Sequence, residues 1–76
     1  MSICSYGQVE QALRRLGFAR TEARGHSLWE RVDTNGRAYR VILCAKPFRP
    51  VPREVLRRLA RSGGMAMADL ERAMGS

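Results

Sequence analysis

Histidine, lysine and cysteine are scarce in this 76-residue chain, which has one histidine, one lysine and two cysteines. Structural zinc sites take four ligands, mostly from cysteine and histidine, so Cys4, His26 and Cys44 do not complete a set. The cysteines also follow no metal-ligand spacing. We therefore expect no metal site and no cofactor, and we interpret both cysteines as reduced structural thiols.

Long hydrophobic runs are also missing. The N-terminal segment MSICSYGQ has no apolar core of the kind that a signal peptide needs, and no stretch approaches the length of a membrane span. We expect a cytoplasmic protein with no membrane partner. The chain has the size of one domain, residues 1–76, near the lower limit for independent folding, which leaves no room for a cofactor-binding domain or a deep cleft.

Negative charge is the minor component, because 7 acidic residues stand against 14 basic ones and the net charge is +7. Thirteen of the basic residues are arginines, whose fork of donors matches a phosphate group. A GC-rich genome also favours arginine over lysine, so the choice of arginine alone says little. The excess of positive charge has no such explanation, and it favours a polyanionic partner, above all a nucleic acid.

Hydrophobic periodicity predicts two helices and a helical tail. Ser5 and Gln8 have the spacing of a capping box, apolar residues then recur at helical intervals, and Gly17 follows as a C-cap. These signals predict a first helix over residues 6–16. A second helix is predicted over residues 53–62, and the Gly-Gly pair at residues 63–64 ends it. The segment MADLERAM after that pair is predicted to form a last helical turn or two. The solvent face of the second helix carries Arg53, Arg57, Arg58 and Arg61.

Three strands are predicted between the helices. The segment FARTEA is a candidate edge strand, and HSLWERV alternates so that His26 and Trp29 lie on opposite faces. The segment DTNG predicts a hairpin turn in which Asn35 and Gly36 supply the positive φ angles. The segment RAYRVILCA is rich in β-branched and apolar residues, and we interpret it as a central strand covered on part of both faces.

All three prolines lie in KPFRPVP, residues 46–52, which predicts a stiff connection outside the sheet. The order of elements predicts an α+β fold, in which a three-stranded antiparallel sheet has both main helices on one face and a short helical C-terminal tail follows. Double-stranded-RNA-binding domains have this α-β-β-β-α arrangement. The fold class therefore agrees with the charge, although a fold does not by itself give a function.

Three segments resemble those of a known family. They are ALRRLGF at residues 12–18, GHSLW at residues 25–29 and VLRRLARSGGMAMADL at residues 55–70. In this order and with these gaps, the chain resembles the HicA family of bacterial toxins, small mRNA interferases that pair with HicB antitoxins. The resemblance spans most of the chain, and its specificity lies in the ordered set rather than in any one segment.

The chain departs from the family's pattern at three places. The serine that usually precedes the histidine is replaced, so that Gly25 comes directly before His26. The histidine that often follows the third strand is missing from KPFRPVP, and the Gly-Thr pair common at the start of the second helix reads Glu54-Val55. These departures bear on activity more than on the fold.

The resemblance implies a function and a catalytic residue. It implies the toxin of a type II toxin–antitoxin system, a metal-independent endoribonuclease that cleaves mRNA and forms a hetero-oligomer with a HicB-like antitoxin. The family's histidine is thought to be catalytic, and His26 is the one position here that can take that role. An imidazole ionises near neutral pH, so it suits proton removal from a 2′-hydroxyl or protonation of a leaving oxygen. A structural or solvated role is the more common one for a lone strand histidine, and it is the alternative here.

Seven basic residues are candidate RNA-binding positions: Arg20, Arg24, Arg31, Lys46, Arg49, Arg57 and Arg61. Arg24 is close to His26 in the sequence, and Arg20, Arg31, Lys46 and Arg49 are candidates for the same side, where those that converge would neutralise charge at the scissile phosphate. The arginines of the second helix are expected to hold RNA phosphates across a groove. They fit equally well a solvated face that an acidic antitoxin covers.

Trp29 has two interpretations, stacking on an unpaired base or packing in the core. If His26 faces solvent, Trp29 faces the helices, because residues three apart in a strand point oppositely, and this geometry favours the core. Two other functions stay open beside the nuclease. One is a catalytically inactive module of the same fold that binds RNA or a protein partner such as the antitoxin, and the other is a charged structural subunit with no nucleic-acid role.

Overall fold

The first helix, α1, spans Tyr6–Arg15 and begins with the predicted capping box. In the computed structural model, which describes residues 4–75, the Ser5 hydroxyl accepts from the Gln8 N–H at 3.3 Å. The Ser5 N–H donates in return to the Gln8 side-chain oxygen at 2.8 Å. Two donors that a helix start leaves free are thereby satisfied. The N-terminal segment MSICSYGQ, in which we expect no signal peptide, begins with three residues that lie outside the described part of the chain.

The chain leaves α1 through a glycine C-cap, as predicted. Gly17 has a φ of +94°, which a residue with a side chain rarely adopts, and the Phe18 N–H donates to the Leu13 carbonyl at 2.9 Å. This turn directs the Phe18 ring into the core, where it is buried. The helix ends one residue before the predicted end.

Three antiparallel strands follow in the spatial order β1-β2-β3. They are β1 (Ala19–Ala23), β2 (His26–Val32) and β3 (Ala38–Cys44). In the register, Trp29 lies opposite Val41 and His26 lies opposite Cys44. The predicted alternation of β2 is confirmed, because Trp29 is buried and His26 is exposed.

The apolar run of β3 predicted a central strand, and this prediction was wrong. β2 occupies the middle of the sheet and β3 is an edge strand. Val41 and Leu43 are buried against the helices, whereas Ile42 lies on the other face and is 59% exposed. A continuous apolar run is typical of a strand buried on both faces, but here only one face is covered. Short turns place consecutive strands side by side, which leaves the last strand at the edge.

The hairpin between β2 and β3 turns at the predicted segment, but with one positive φ angle instead of two. Gly36 has a φ of +83°, while every described residue other than glycine, including Asn35, has a negative φ. The Asp33 carboxylate accepts from the N–H groups of Asn35 and Arg37, both at 2.9 Å. The aspartate side chain therefore stabilises the turn in place of a second left-handed residue.

The proline-rich segment, residues 46–52, is bound to the start of α1. The Pro47 carbonyl accepts from the Gly7 N–H at 2.8 Å, and the Arg49 carbonyl accepts from the Tyr6 N–H at 3.0 Å. These bonds satisfy donors that the first turn of a helix leaves free. The segment is thus held in place both by its prolines and by hydrogen bonds to α1 that the sequence did not indicate.

Two further helices complete the order α-β-β-β-α-α. α2 spans Arg53–Ser62, the predicted bounds, and its four arginines are exposed as predicted. α3 spans Met67–Gly75 and is longer than the turn or two expected. It places Leu70 in the core, and the half-buried Met67 and Met74 pack against that core, in agreement with their spacing.

The helices cover one face of the sheet and leave the other bare. The buried apolar core comprises Val9, Ala12, Leu13, Phe18, Trp29, Val41, Leu43, Val51, Leu56, Leu59, Ala60 and Leu70. The bare face, which we call the open face, carries His26 together with Ile42 and the 67% exposed Val32. Across residues 4–75, no helix has the length and apolar character that crossing a membrane requires.

We expect Gly64→Ala to destabilise the fold more than Gly36→Ala. Both glycines have a positive φ, +68° and +83°, where alanine is strained by about 1–2 kcal/mol. A Cβ on Gly64 would in addition overlap the ring of Tyr39, whereas one on Gly36 would meet nothing within 4 Å. Overpacking of this kind adds about 1–3 kcal/mol. Urea unfolding followed by circular dichroism measures both losses of stability, and equal losses would contradict the close approach of Gly64 to Tyr39.

Candidate functional site

His26 is the first residue of β2, directly after the turn formed by Arg24 and Gly25. The turn needs a glycine at its second position, where Gly25 has a φ of +68°. The imidazole is exposed on the open face, and its Nδ1 lies 3.0 Å from the Arg24 carbonyl oxygen. The backbone of the turn thus sets the orientation of the ring.

The contact with the Arg24 carbonyl decides which ring nitrogen is available for chemistry. A carbonyl oxygen can only accept a hydrogen bond, so Nδ1 of His26 is the donor. In the neutral imidazole the second nitrogen, Nε2, then has the free lone pair. In the tautomer that this contact favours, His26 offers Nε2 as a proton acceptor on an exposed ring.

A shallow hollow of about 350 Å³ lies beside His26 on the open face, and Leu28, Arg40 and Ile42 line the rest of it. Leu28 and Ile42 are cross-strand partners that form an apolar floor. The Arg40 guanidinium pairs with the Glu30 carboxylate at 3.1 Å, and both side chains are largely solvated. An ion pair of this exposure contributes little to stability, so Arg40 can leave Glu30 for another anion at low cost.

Arg40 is the residue that the sequence prediction missed at this site. Alternation along β3 places Arg40, Ile42 and Cys44 on one face, and the register places Cys44 opposite His26. The alternation was readable from the sequence, but the register was not, because it depends on the length and geometry of the hairpin turn.

Lys46 and Arg49 lie at the end of the sheet where His26 lies. The Ala45 N–H donates to the Gly25 carbonyl at 3.2 Å, so that Lys46 follows one residue after this contact. Arg49 belongs to the segment bound to α1, and both basic side chains are exposed. Arg24 and Lys46 are thus near His26 along the backbone, and the hollow beside the imidazole is lined by neither of them nor by Arg49.

Arg20 and Arg31 lie on the face that packs against the helices, and the expectation that they share a side with His26 was wrong. Arg20 is paired with Trp29 in the register, and Arg31 follows two residues after Trp29. Arg20 forms an ion pair with Glu22 at 3.3 Å. The alternation of β2 already separates Arg31 from His26, and the register of β1 places Arg20 with it.

Arg31 has a packing role. Its guanidinium lies 5.3 Å from the centre of the Phe18 ring and 5.4 Å from the centre of the Tyr39 ring, within the range of cation–π attraction. Its Nε is buried without a hydrogen-bond partner. Arg31 and Phe18 line a groove of about 520 Å³ between α1 and α3, and His26 is not part of its lining.

Arg57 and Arg61 lie one helical turn apart on α2 and are exposed. They belong to the helical layer, whereas His26 lies on the open face of the sheet. The structure therefore leaves the two helix arginines on a surface separate from His26.

Both thiols are free, and they differ in position. Cys44 lies directly opposite His26 on the open face and is half-buried. Residues paired in this way have Cβ atoms about 4.5–5.5 Å apart. Cys4 lies against the helical core, with its sulfur 4.0 Å from the Val51 carbonyl oxygen. Burial raises the pKa of the Cys4 thiol, and the charge of Glu71 adds to this effect.

Within residues 4–75, no three His, Cys, Asp or Glu side chains are placed to hold a metal ion. The arrangement at His26 combines one oriented imidazole, exposed basic side chains and a shallow apolar floor. In this arrangement the imidazole can accept a proton, and the basic side chains can bind a phosphate.

No protein-family model and no curated protein sequence matches the chain.

Proposed function

We propose that the protein is a metal-independent endoribonuclease that cleaves mRNA, the toxin of a type II toxin–antitoxin system of the HicA kind. The observation that carries the proposal is the exposed imidazole of His26, whose Nδ1 is 3.0 Å from the Arg24 carbonyl oxygen. A base oriented in this way, among basic residues on the surface of a chain of net charge +7, suits an RNA phosphate.

The double-stranded-RNA-binding-domain likeness of the fold is part of the proposal. The order α1-β1-β2-β3-α2, with a three-stranded antiparallel sheet and helices on one face, is compatible with it. α3 is the helical extension after the shared elements. The proposal therefore has three supports: the order of the elements, the charge, and the three sequence segments that resemble HicA.

The chemistry needs no metal, because RNA contains its own nucleophile. Nε2 of His26 removes the proton of a 2′-hydroxyl, and the 2′-oxygen attacks the adjacent phosphorus. The bond from phosphorus to the 5′-oxygen breaks, and that oxygen takes a proton from water. The hydroxide formed then takes the proton from the imidazolium. The products are one strand with a 2′,3′-cyclic phosphate and one with a 5′-hydroxyl.

Basic side chains would stabilise the extra negative charge of the transition state. Arg24 precedes the turn glycine before His26, Lys46 lies just beyond β3, and Arg40 lines the hollow. Donors already in place before the reaction are worth more than donors that must reorganise. Arg40 would contribute after it exchanges the Glu30 carboxylate for the RNA phosphate.

The expected protein partner is a HicB-like antitoxin in the cytoplasm. A partner that silences the enzyme has to mask either His26 or the phosphate contacts around it. Since these contacts are arginines and a lysine, an acidic surface would be the complementary one. The exposed arginines of α2 offer a second area of the same charge for such a partner.

An RNA-binding module without catalysis is the second candidate, and one observation favours it. Apart from His26, the hollow is lined by Leu28, Arg40 and Ile42, none of which exchanges a proton near neutral pH. A catalytic site would then depend on water for one of its two proton transfers. The binding module and the nuclease share the basic surface and differ in what the imidazole does.

Induced expression in a bacterial host tests the proposal. The wild-type protein is expected to arrest growth and to shorten the lifetime of cellular transcripts, whereas the His26→Ala protein is expected to do neither. Circular dichroism on both purified proteins controls for folding. Arrest by both proteins, or transcript lifetimes unchanged by the wild type, would contradict the nuclease and favour the binding module.

Alkylation of Cys44 is expected to block the site. A maleimide on this thiol would stand directly opposite His26 and exclude RNA from the hollow. Cys4 is the internal control, since its raised pKa lowers the reactive thiolate fraction. RNA cleavage is measured before and after treatment in the wild type and in Cys44→Ser. Inhibition in both proteins alike would show that the effect does not come from Cys44.

A further inference from the structure

Among residues 4–75, three large apolar side chains face solvent, and Phe48 is the most exposed of them, at 78%. It lies in the proline-rich segment between Pro47 and Arg49. A phenylalanine side chain in water forgoes about 1.5–3 kcal/mol of burial free energy. Phe18 and Trp29 are the aromatic residues buried in the core, whereas Phe48 is neither in the core nor among the half-buried residues packed against it. Its ring therefore takes no part in the packing of the fold.

The backbone around Phe48 is fixed. The carbonyl before it, on Pro47, accepts from the Gly7 N–H at 2.8 Å, and the carbonyl after it, on Arg49, accepts from the Tyr6 N–H at 3.0 Å. The Arg49 N–H also donates to the Lys46 carbonyl at 3.1 Å, which closes a turn around the phenylalanine. A ring presented on a fixed backbone loses less conformational entropy on binding.

Phe48 is within reach of His26. Ala45 is hydrogen-bonded to Gly25, the residue before His26, and Phe48 follows Ala45 by three positions. Three extended residues span at most about 11 Å. Phe48 therefore follows the chain out of the end of the sheet at which His26 lies, and an RNA strand a few nucleotides long spans such a separation.

The charge around Phe48 is positive. Lys46 and Arg49 flank it within two positions, and both are exposed. In residues 4–75, neither of these side chains forms an ion pair with a carboxylate. An exposed aromatic ring between free cations is the combination that single-strand binders use, in which the ring stacks on a base and the cations contact the phosphates.

We propose that Phe48 is a stacking platform for an unpaired nucleobase, with Lys46 and Arg49 on the adjoining phosphates, so that the RNA reaching His26 is single-stranded. The inference rests on the proposed function in taking RNA as the ligand. A base inside a duplex has both faces stacked and offers none to the ring. Duplex RNA would therefore gain nothing from Phe48, although the fold is similar to that of duplex-binding domains.

Binding measurements in the His26→Ala background test the inference without cleavage. The probe is a short fluorescent RNA with no self-complementarity, compared with the duplex of the same sequence. Phe48→Ala is expected to weaken binding of the single strand by about 5- to 100-fold and to leave duplex binding unchanged. Phe48→Tyr is expected to retain binding, and Phe48→Leu, which keeps apolar area but has no aromatic face, is expected to lose it.

Each result decides the inference. Full RNA binding by Phe48→Leu would mean that apolar area is enough without an aromatic face and would overturn stacking, as would equal weakening for the single strand and the duplex. Retained binding by Phe48→Ala would also overturn it, while the proposed nuclease could still stand on its own cleavage. A wild type that does not cut RNA, with Phe48-dependent binding of the single strand, would overturn the nuclease and support the inference. Absence of RNA binding by every protein would overturn both.

Discussion

Replacing His26 with alanine is expected to slow RNA cleavage by about 10²- to 10⁴-fold, the contribution of one positioned acid or base. The expectation follows from the geometry of the imidazole, whose Nδ1 is held by the Arg24 carbonyl at 3.0 Å and whose Nε2 is left as the acceptor. The measurement is the single-turnover rate on a labelled RNA, with enzyme in excess. Single-turnover rates separate chemistry from product release.

The His26→Ala variant should differ from the wild type in chemistry and in little else. The side chain is exposed, and exposed substitutions change stability by about 0.5 kcal/mol or less. Arg24→Ala, two residues before His26, is the comparison variant for the charge of the site, and it keeps the backbone carbonyl that holds the ring. It is expected to weaken RNA binding. In a plot of the logarithm of the binding constant against the logarithm of the salt concentration, the slope is expected to become shallower by about 0.7 for each phosphate that the arginine neutralises in the wild type. A His26→Ala protein that cleaves at the wild-type rate would contradict the catalytic role.

Replacing Trp29 with alanine is expected to cost about 3–5 kcal/mol of unfolding free energy. The side chain is fully buried, its indole N–H donates to the Ser27 hydroxyl at 2.9 Å, and the Arg14 guanidinium lies over its ring at 5.6 Å. A domain of this length is stabilised by about 4–11 kcal/mol in total, so the substitution removes much of the margin. Urea unfolding followed by far-UV circular dichroism measures the destabilisation.

Phe48→Ala is the matched control for Trp29→Ala, because it removes an aromatic ring that is 78% exposed instead of one that is 0% exposed. We expect it to change the unfolding free energy by about 0.5 kcal/mol or less. The two aromatic residues then have separate roles: the Trp29 substitution lowers the unfolding free energy, and the Phe48 substitution weakens RNA binding. Similar unfolding free energies for the two variants would contradict the central position of Trp29 in the core.

Local signals in the sequence were sufficient for most of the fold. Ser5 and Gln8 indicated the start of α1, Gly17 its end, and the alternation of β2 placed Trp29 in the core and His26 outside. Local signals failed where a contact distant in sequence decides the outcome. The apolar run of β3 does not reveal that one of its faces is uncovered, and Asn35 does not reveal that the Asp33 side chain closes the turn.

The candidate site was predictable in its central residue and less so in its surroundings. His26 was singled out by its position after Gly25 and by the resemblance to HicA. The residues around it depend on strand register, which in a hairpin is set by the turn type and the loop length and not by the strand residues alone. Arg40 was missed for this reason, and Arg20 was placed on the wrong face. The contact between the proline-rich segment and α1, which fixes Phe48, joins parts of the chain about forty residues apart.

The ends of the RNA fragments left by the purified wild-type protein, in a buffer containing a metal chelator, test the central claim most directly. Attack by the 2′-oxygen with His26 as the base predicts a 2′,3′-cyclic phosphate on one fragment and a 5′-hydroxyl on the other, and no such fragments from His26→Ala. Fragments that end in a 3′-hydroxyl and a 5′-phosphate, or RNA that stays intact until a divalent metal is added, would contradict the account.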